Sequence, residues 1–163
     1  MNTPNQTTIV AEKDKQEIYI TREFDAPRNI VFKAYADPDL LVQWIGPHNR
    51  EMKIDRYDPR SGGSYRYFVC NQQGKEIAAF NGVIHEVTAP ERIIQTFEFE
   101  GLPERGHVTL DTTTFEELPR NRTRVTTHSV FRSVADRNAM MQSGVEKGME
   151  EGYQKLDALL AKQ

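Results

Sequence analysis

The stretch from Ser133 to Lys162 constrains this chain most, because it is the one long helical pattern and everything before it reads as sheet in need of a cover. Ser133 followed three residues later by Asp136 marks a capped helix start. Met141, Val145, Met149, Gly152, Leu156 and Leu159 then recur at steps of three and four, the spacing of a single apolar face. Glu146, Lys147, Glu150, Glu151, Gln154, Lys155 and Asp157 occupy most of the remaining circumference, so the spacing predicts one amphipathic helix lying on a surface. At about 1.5 Å per residue it is roughly 40 Å long, close to the width of seven strands spaced about 4.8 Å apart. Gly144, Gly148 and Gly152 fall inside the pattern and each costs about 1 kcal/mol relative to Ala in a helix interior. Packing or space under the helix must offset them. Gly152 sits on the apolar stripe itself, where either a close backbone approach or a gap filled by a ligand accounts for a missing side chain.

The preceding chain alternates as strands do. Residues 1–15 are mostly polar and are expected to form a flexible lead-in without function. Glu17 to Asp25 places Ile18, Ile20, Arg22 and Phe24 on one side, with Arg22 as the odd cation on an apolar face. Pro27 and the pair Asp37-Pro38 open two short helices in tandem, the first with Ile30, Val31, Ala34 and Tyr35 as its apolar face and the second ending near Trp44. Six further strands are predicted over 51–58, 64–71, 76–87, 93–100, 109–117 and 123–131, joined by turns such as Pro59 to Gly63 and Leu118 to Asn121. The expected order is strand, two short helices, six strands and one long helix. Short connections make the strands mostly antiparallel, which gives an α+β fold in a single domain over 16–163.

Composition narrows the function classes. The 163 residues suffice to bury a core without disulfides or metal, and a net charge of −3 gives no electrostatic reason to expect nucleic acid. Cys70 is the only cysteine, so no intramolecular disulfide forms and a reducing, cytoplasmic setting is expected. No signal-peptide-like core and no apolar run of the roughly 20 residues needed to span a membrane is present, so membrane insertion is not expected. The four histidines, His48, His85, His107 and His128, lack metal-ligand spacing, and no phosphate loop, dinucleotide fingerprint or nucleophile elbow occurs. No metal and no cofactor are expected, and Cys70 reads as an inert strand thiol.

Several segments together resemble the family of homologues of the activator of the heat-shock protein 90 ATPase, within the START-like (SRPBCC) helix-grip superfamily. They are Arg22 to Pro27, Asp37 to Pro47, Asp58 to Tyr65, Asn81 to Glu86, Pro90 to Arg92 and Gly148 to Gly152, in the family's order. Ile45 departs from the family pattern, which usually repeats tryptophan there. The resemblance implies a curved antiparallel sheet of about six to seven strands wrapped around the terminal helix, with a cavity between them that many relatives use for lipids, polyketides or similar molecules. The residues expected to line such a cavity here are Arg22, Trp44, Tyr65, Tyr67, Phe97, His128, Val145, Met149 and Gly152. Aromatic faces supply apolar surface, and Arg22, His128 and tyrosine hydroxyls supply the few polar groups that orient a ligand.

The leading expectation is therefore a small cytoplasmic binding module for an apolar or amphipathic molecule, without catalysis as its main role. A co-chaperone-like domain acting on a heat-shock protein 90 homologue, in a stress-response setting, is the alternative. The family's co-chaperones carry an additional N-terminal domain that is not expected in this chain. A cavity enzyme of cyclase or hydrolase type is the third reading, and it requires His85 or His128 to face the cavity beside an acid or a tyrosine.

Overall fold

A computed structural model describes residues 5–163 of the chain. In chain order the elements are β1 (Thr8–Val10), β2 (Glu17–Phe24), α1 (Arg28–Ala36), α2 (Pro38–Leu41), β3 (Glu51–Tyr57), β4 (Ser64–Cys70), β5 (Glu76–Thr88), β6 (Arg92–Phe99), β7 (Thr109–Leu118), β8 (Arg122–Val130), α3 (Val134–Gln142) and α4 (Val145–Leu160). The strands form one antiparallel sheet in the order β1-β2-β8-β7-β6-β5-β4-β3. That is eight strands, against the six to seven expected. The added one is β1, which lies within the expected lead-in and pairs Ile9 with Ile20 of β2, while residues 1–4 of that segment lie outside the described residues. A polar segment can add such a strand because an open edge satisfies its backbone groups whatever its side chains are.

Three register shifts bend the sheet: Asp55 in β3 and Ile77 and His85 in β5 have no residue opposite them. Each such bulge sharpens the local twist and curls the strand. Gly82 serves the same curvature from within. A Cβ there would stand 2.0 Å from the Thr96 carbonyl oxygen and 2.6 Å from the Tyr65 ring, so only glycine lets Tyr65 cross the strand and donate its hydroxyl to Thr96.

The expected single terminal helix is two. Ser133 does cap it, accepting the Asp136 N–H at 3.0 Å, but Gly144 takes φ +82°, the left-handed region, and separates α3 from α4. The apolar step from Met141 to Val145 continues across the break, which is why periodicity alone joins the two. Gly144 is thus a corner and does not belong to a helix interior.

The core gathers under the C-terminal half of α4. Phe24, Val31, Phe32, Trp44, Phe115, Val125, Tyr153, Leu156 and Leu160 pack together, drawing on β2, α1, β7, β8 and α4. Asp37 caps α2 by accepting the Asp39 N–H at 2.9 Å, and the tandem helices then deliver Trp44 to this core, where its Nε1 donates to the Ala34 carbonyl at 2.9 Å. A leucine as enclosed as Leu156 stabilises such a core by about 2 to 5 kcal/mol relative to alanine.

Candidate functional site

α4 is packed at one end and covers a hollow at the other. Below its N-terminal half and α3, the concave face carries Phe80, Phe97 and Phe99, stacked or tilted at 5.2 Å (Phe80–Phe97) and 5.4 Å (Phe80–Phe99), with Phe131 following the end of β8. No side chain among the described residues fills the space above them. An outer hollow of about 410 Å³ lies between these rings, the 101–108 loop and the residues Ala139, Met140, Ser143, Gly144 and Val145. An inner hollow of about 290 Å³ continues towards β2 between Ile18, Ile20, Tyr67, Asp111, Thr127 and Ser129 on the sheet and Met149 and Tyr153 on α4. Phe97, Thr109, Phe131, Met140 and Val145 line both, so the two adjoin. The lining is apolar with a few polar groups, the pattern of a small-molecule site.

A wider depression of about 650 Å³ lies between residues 42–52, the start of the β4–β5 turn and Lys155. Its lining is rich in polar groups and it is more open, so it desolvates an apolar molecule poorly.

The expected cavity residues divide between these regions. Tyr67, Phe97, Val145 and Met149 line the hollows. Trp44 belongs to the core and Tyr65 is buried against Gly82, bonded to Thr96. Arg22 is 3% exposed, its Nη1 and Nη2 each donating at 2.8 Å to Asp157 and its guanidinium resting over Phe24 and Tyr153. Its charge is thereby committed within the fold. Gly152 is buried against the loop after α2, where a Cβ would stand 3.0 Å from the Trp44 carbonyl oxygen. Of the two readings of that glycine, the geometry is that of close approach. His128 stacks on Tyr19 with centroids 4.3 Å apart and its Nε2 lies 2.7 Å from Glu17. Tyr19 alternates with the inward Ile18 and Ile20, so both rings are on the convex face. His85 is the exposed bulge residue of β5. Neither imidazole reaches the hollow, and the acid–base pair that the cyclase or hydrolase reading needs is not assembled from them.

Two features of the hollows were not anticipated from sequence. His107 lies in the outer lining with Nδ1 2.9 Å from Asp136 and Nε2 3.6 Å from Glu104, so both ring nitrogens address carboxylates. The contact fastens the 101–108 loop to the first turn of α3. Asp111, in the inner lining, is the other. Burial pushes its carboxyl above the ordinary range, with the hydroxyls of Ser129 and Thr109 pulling it back. Burial likewise raises the Tyr67 hydroxyl and takes that of Tyr153 to about 12, so both remain neutral donors at neutral pH. A carboxylate at an inward position of a predicted strand, two before Thr113 and four before Phe115, was the signal available for Asp111. Among the described residues no cluster of three or more His, Cys, Asp or Glu side chains is placed to hold a metal ion. No helix among them is long and apolar enough to cross a membrane.

The fold superposes on a crystal structure of a protein from Mycobacterium smegmatis with a TM-score of 0.83 at 27% identity, covering 95% of this chain and 97% of that one. It matches a solution structure from Staphylococcus epidermidis with a TM-score of 0.79 at 29% identity, over 93% of each chain. A protein from Rhodobacter sphaeroides gives 0.86 at 22% identity over 97% of this chain and 100% of its own, a likeness of fold alone. No curated protein matches the sequence. The family profile described as activator of Hsp90 ATPase homolog 1-like protein matches residues 25–161, from the end of β2 to the end of α4, and the chain belongs to that family.

Proposed function

We propose that this protein is a binding module that takes an apolar or amphipathic small molecule, of the size of a lipid chain or a polyketide, into the adjoining hollows beneath α3 and the first half of α4. One observation carries the reading: the same helix that seals the core with Leu156 and Leu160 leaves a row of aromatic side chains uncovered under Val145 and Met149. Apolar surface left open inside a fold, rimmed by a few polar groups, is what such a ligand covers, and each Å² removed from water contributes about 25 cal/mol. The buried, unpaired Cys70 suits a reducing cytoplasm, which is where this reading places the module.

Native mass spectrometry of protein exposed to a lipid extract, with Nile red titration alongside, tests the reading. Wild type is expected to retain a small molecule and to take up the dye. Val145→Trp enlarges one of the side chains shared by both hollows at a residue 38% exposed, so it should abolish uptake while leaving the melting temperature nearly unchanged. Failure of wild type to bind the dye or any extract component would overturn the reading.

A further inference from the structure

One row of the sheet passes through the floor of the inner hollow. Ile18, Ser129, Asp111, Gln95 and Ile84 stand opposite one another in β2, β8, β7, β6 and β5, so all five share the concave face, and the first three line the hollow. The row is apolar at its ends and polar in its middle. Asp111 Oδ1 and Gln95 Oε1 are both buried, and neither meets a hydrogen-bond donor among the described residues. Such acceptors are costly in a folded interior, and the Asp111 oxygen, which belongs to the lining of the hollow, asks for a partner that supplies an N–H or O–H.

The protein itself offers no cation there. Neither hollow is lined by lysine or arginine among the described residues, whereas Asp111, Asp136 and Glu146 are all in the linings. Arg22 lies on the same face but four positions further along β2 than Ile18, about 13 Å away at strand rise, and is held by Asp157. A ligand carrying its own carboxylate would therefore meet like charge without compensation.

We propose that the inner hollow selects a lipophilic primary amine, its ammonium group donating to Asp111 and its apolar body lying over Phe97 and Phe131. The assignment rests on the ligand-binding reading above and adds the chemical class. An ammonium has three donors and no acceptor, which matches a floor with an orphaned carboxylate oxygen, and the Tyr67 ring in the same lining favours a cation as well. An ammonium alongside Asp111 favours the ionised form that burial disfavours.

The test compares decylamine, decanol and decanoic acid as competitors of Nile red on the full chain, each below its own aggregation concentration. Decylamine is expected to displace the dye at least about ten-fold more strongly than decanol, the factor that a charge-assisted hydrogen bond supplies, with decanoic acid weakest. Asp111→Asn keeps the side-chain volume and removes the charge; it should lose the preference for the amine over decanol. The wild-type comparison stands by itself if that variant proves unfolded by its thermal melt. Equal displacement by decylamine and decanol, stronger displacement by decanoic acid, or an amine preference that survives in folded Asp111→Asn each overturns the amine assignment while leaving the binding reading intact. Absence of dye uptake and of binding by all three probes overturns both.

Discussion

Gly148 and Gly152 lie one helical turn apart on α4, and the structure gives them opposite surroundings, so substituting each by alanine measures what lies beneath the helix. A Cβ on Gly148 meets nothing within 4 Å, and one on Gly152 stands 3.0 Å from the Trp44 carbonyl oxygen and 3.7 Å from the backbone of Gly46. Both variants gain the same helix propensity, nearly 1 kcal/mol. Gly148→Ala should keep most of it and melt about 2 to 4 °C higher, the shift that 1 kcal/mol produces in a chain of this size. At Gly152 the loop must retreat by a few tenths of an ångström, and it is not free to do so. Trp44 is tied to Ala34 at 2.9 Å, and Lys155 donates to the carbonyls of Ile45 at 3.3 Å and Pro47 at 3.4 Å from the same face of α4. Gly152→Ala is therefore expected to be less stable than Gly148→Ala by at least about 1 kcal/mol, and Gly152→Leu to fall about 1 to 3 kcal/mol or more below wild type. Urea unfolding at constant m-value reads these differences directly. Equal stabilisation by the two alanines would refute the close approach, and a stable Gly152→Leu that no longer takes up Nile red would move the binding site under this turn.

Asp157→Ala strips the carboxylate from the buried Arg22 and should cost about 2 kcal/mol, a value reduced for the partial exposure of Asp157; the double variant Arg22→Met/Asp157→Ala should recover part of that loss in a double-mutant cycle. Glu98 accepts the Gly106 N–H at 2.7 Å and a bond from Arg105 at 3.2 Å, and these hold its carboxyl below the ordinary range against the effect of burial. A native value below the unfolded one means the contribution is complete above the ordinary glutamate range and vanishes as pH falls through the lowered native value, so the stability gap between wild type and Glu98→Gln should close in acid. Gly144→Ala places a side chain at φ +82° and should cost about 1 to 2 kcal/mol, read by thermal melting.

Much of the fold is legible in the sequence because it rests on local signals. Alternation from Glu17 to Phe24 marks a strand, and the turn residues around 109–117 delimit another, and the structure reproduces both sets of boundaries within a residue or two. The Asp37-Pro38 pair and Ser133 mark helix starts because a side-chain oxygen next to the first turn satisfies its free N–H groups. The break at Gly144 escaped because its cause is a backbone angle that leaves the apolar spacing undisturbed. β1 escaped because an edge strand is recruited by the open backbone of its neighbour, and its own residues carry little alternation.

The candidate site divides along the same line. Spacing along the chain alone marked the aromatic strands and the amphipathic helix, while the matched segments carried the family resemblance and, through it, the expectation of a curved sheet around that helix. Which aromatics seal the core and which line the hollow was decided by the tertiary structure: Trp44 and Phe97 read alike in sequence, yet one is delivered to the packed end of α4 by the tandem helices and the other is left under its open end. Arg22 looked like a cation for a ligand until α4 brought Asp157 against it. Asp111 acquires its setting only when three neighbouring strands fix Gln95 and Ser129 beside it, in a hollow that no lysine or arginine lines among the described residues. Periodicity states which side of an element a residue occupies, and only the packing of distant elements states what that side faces.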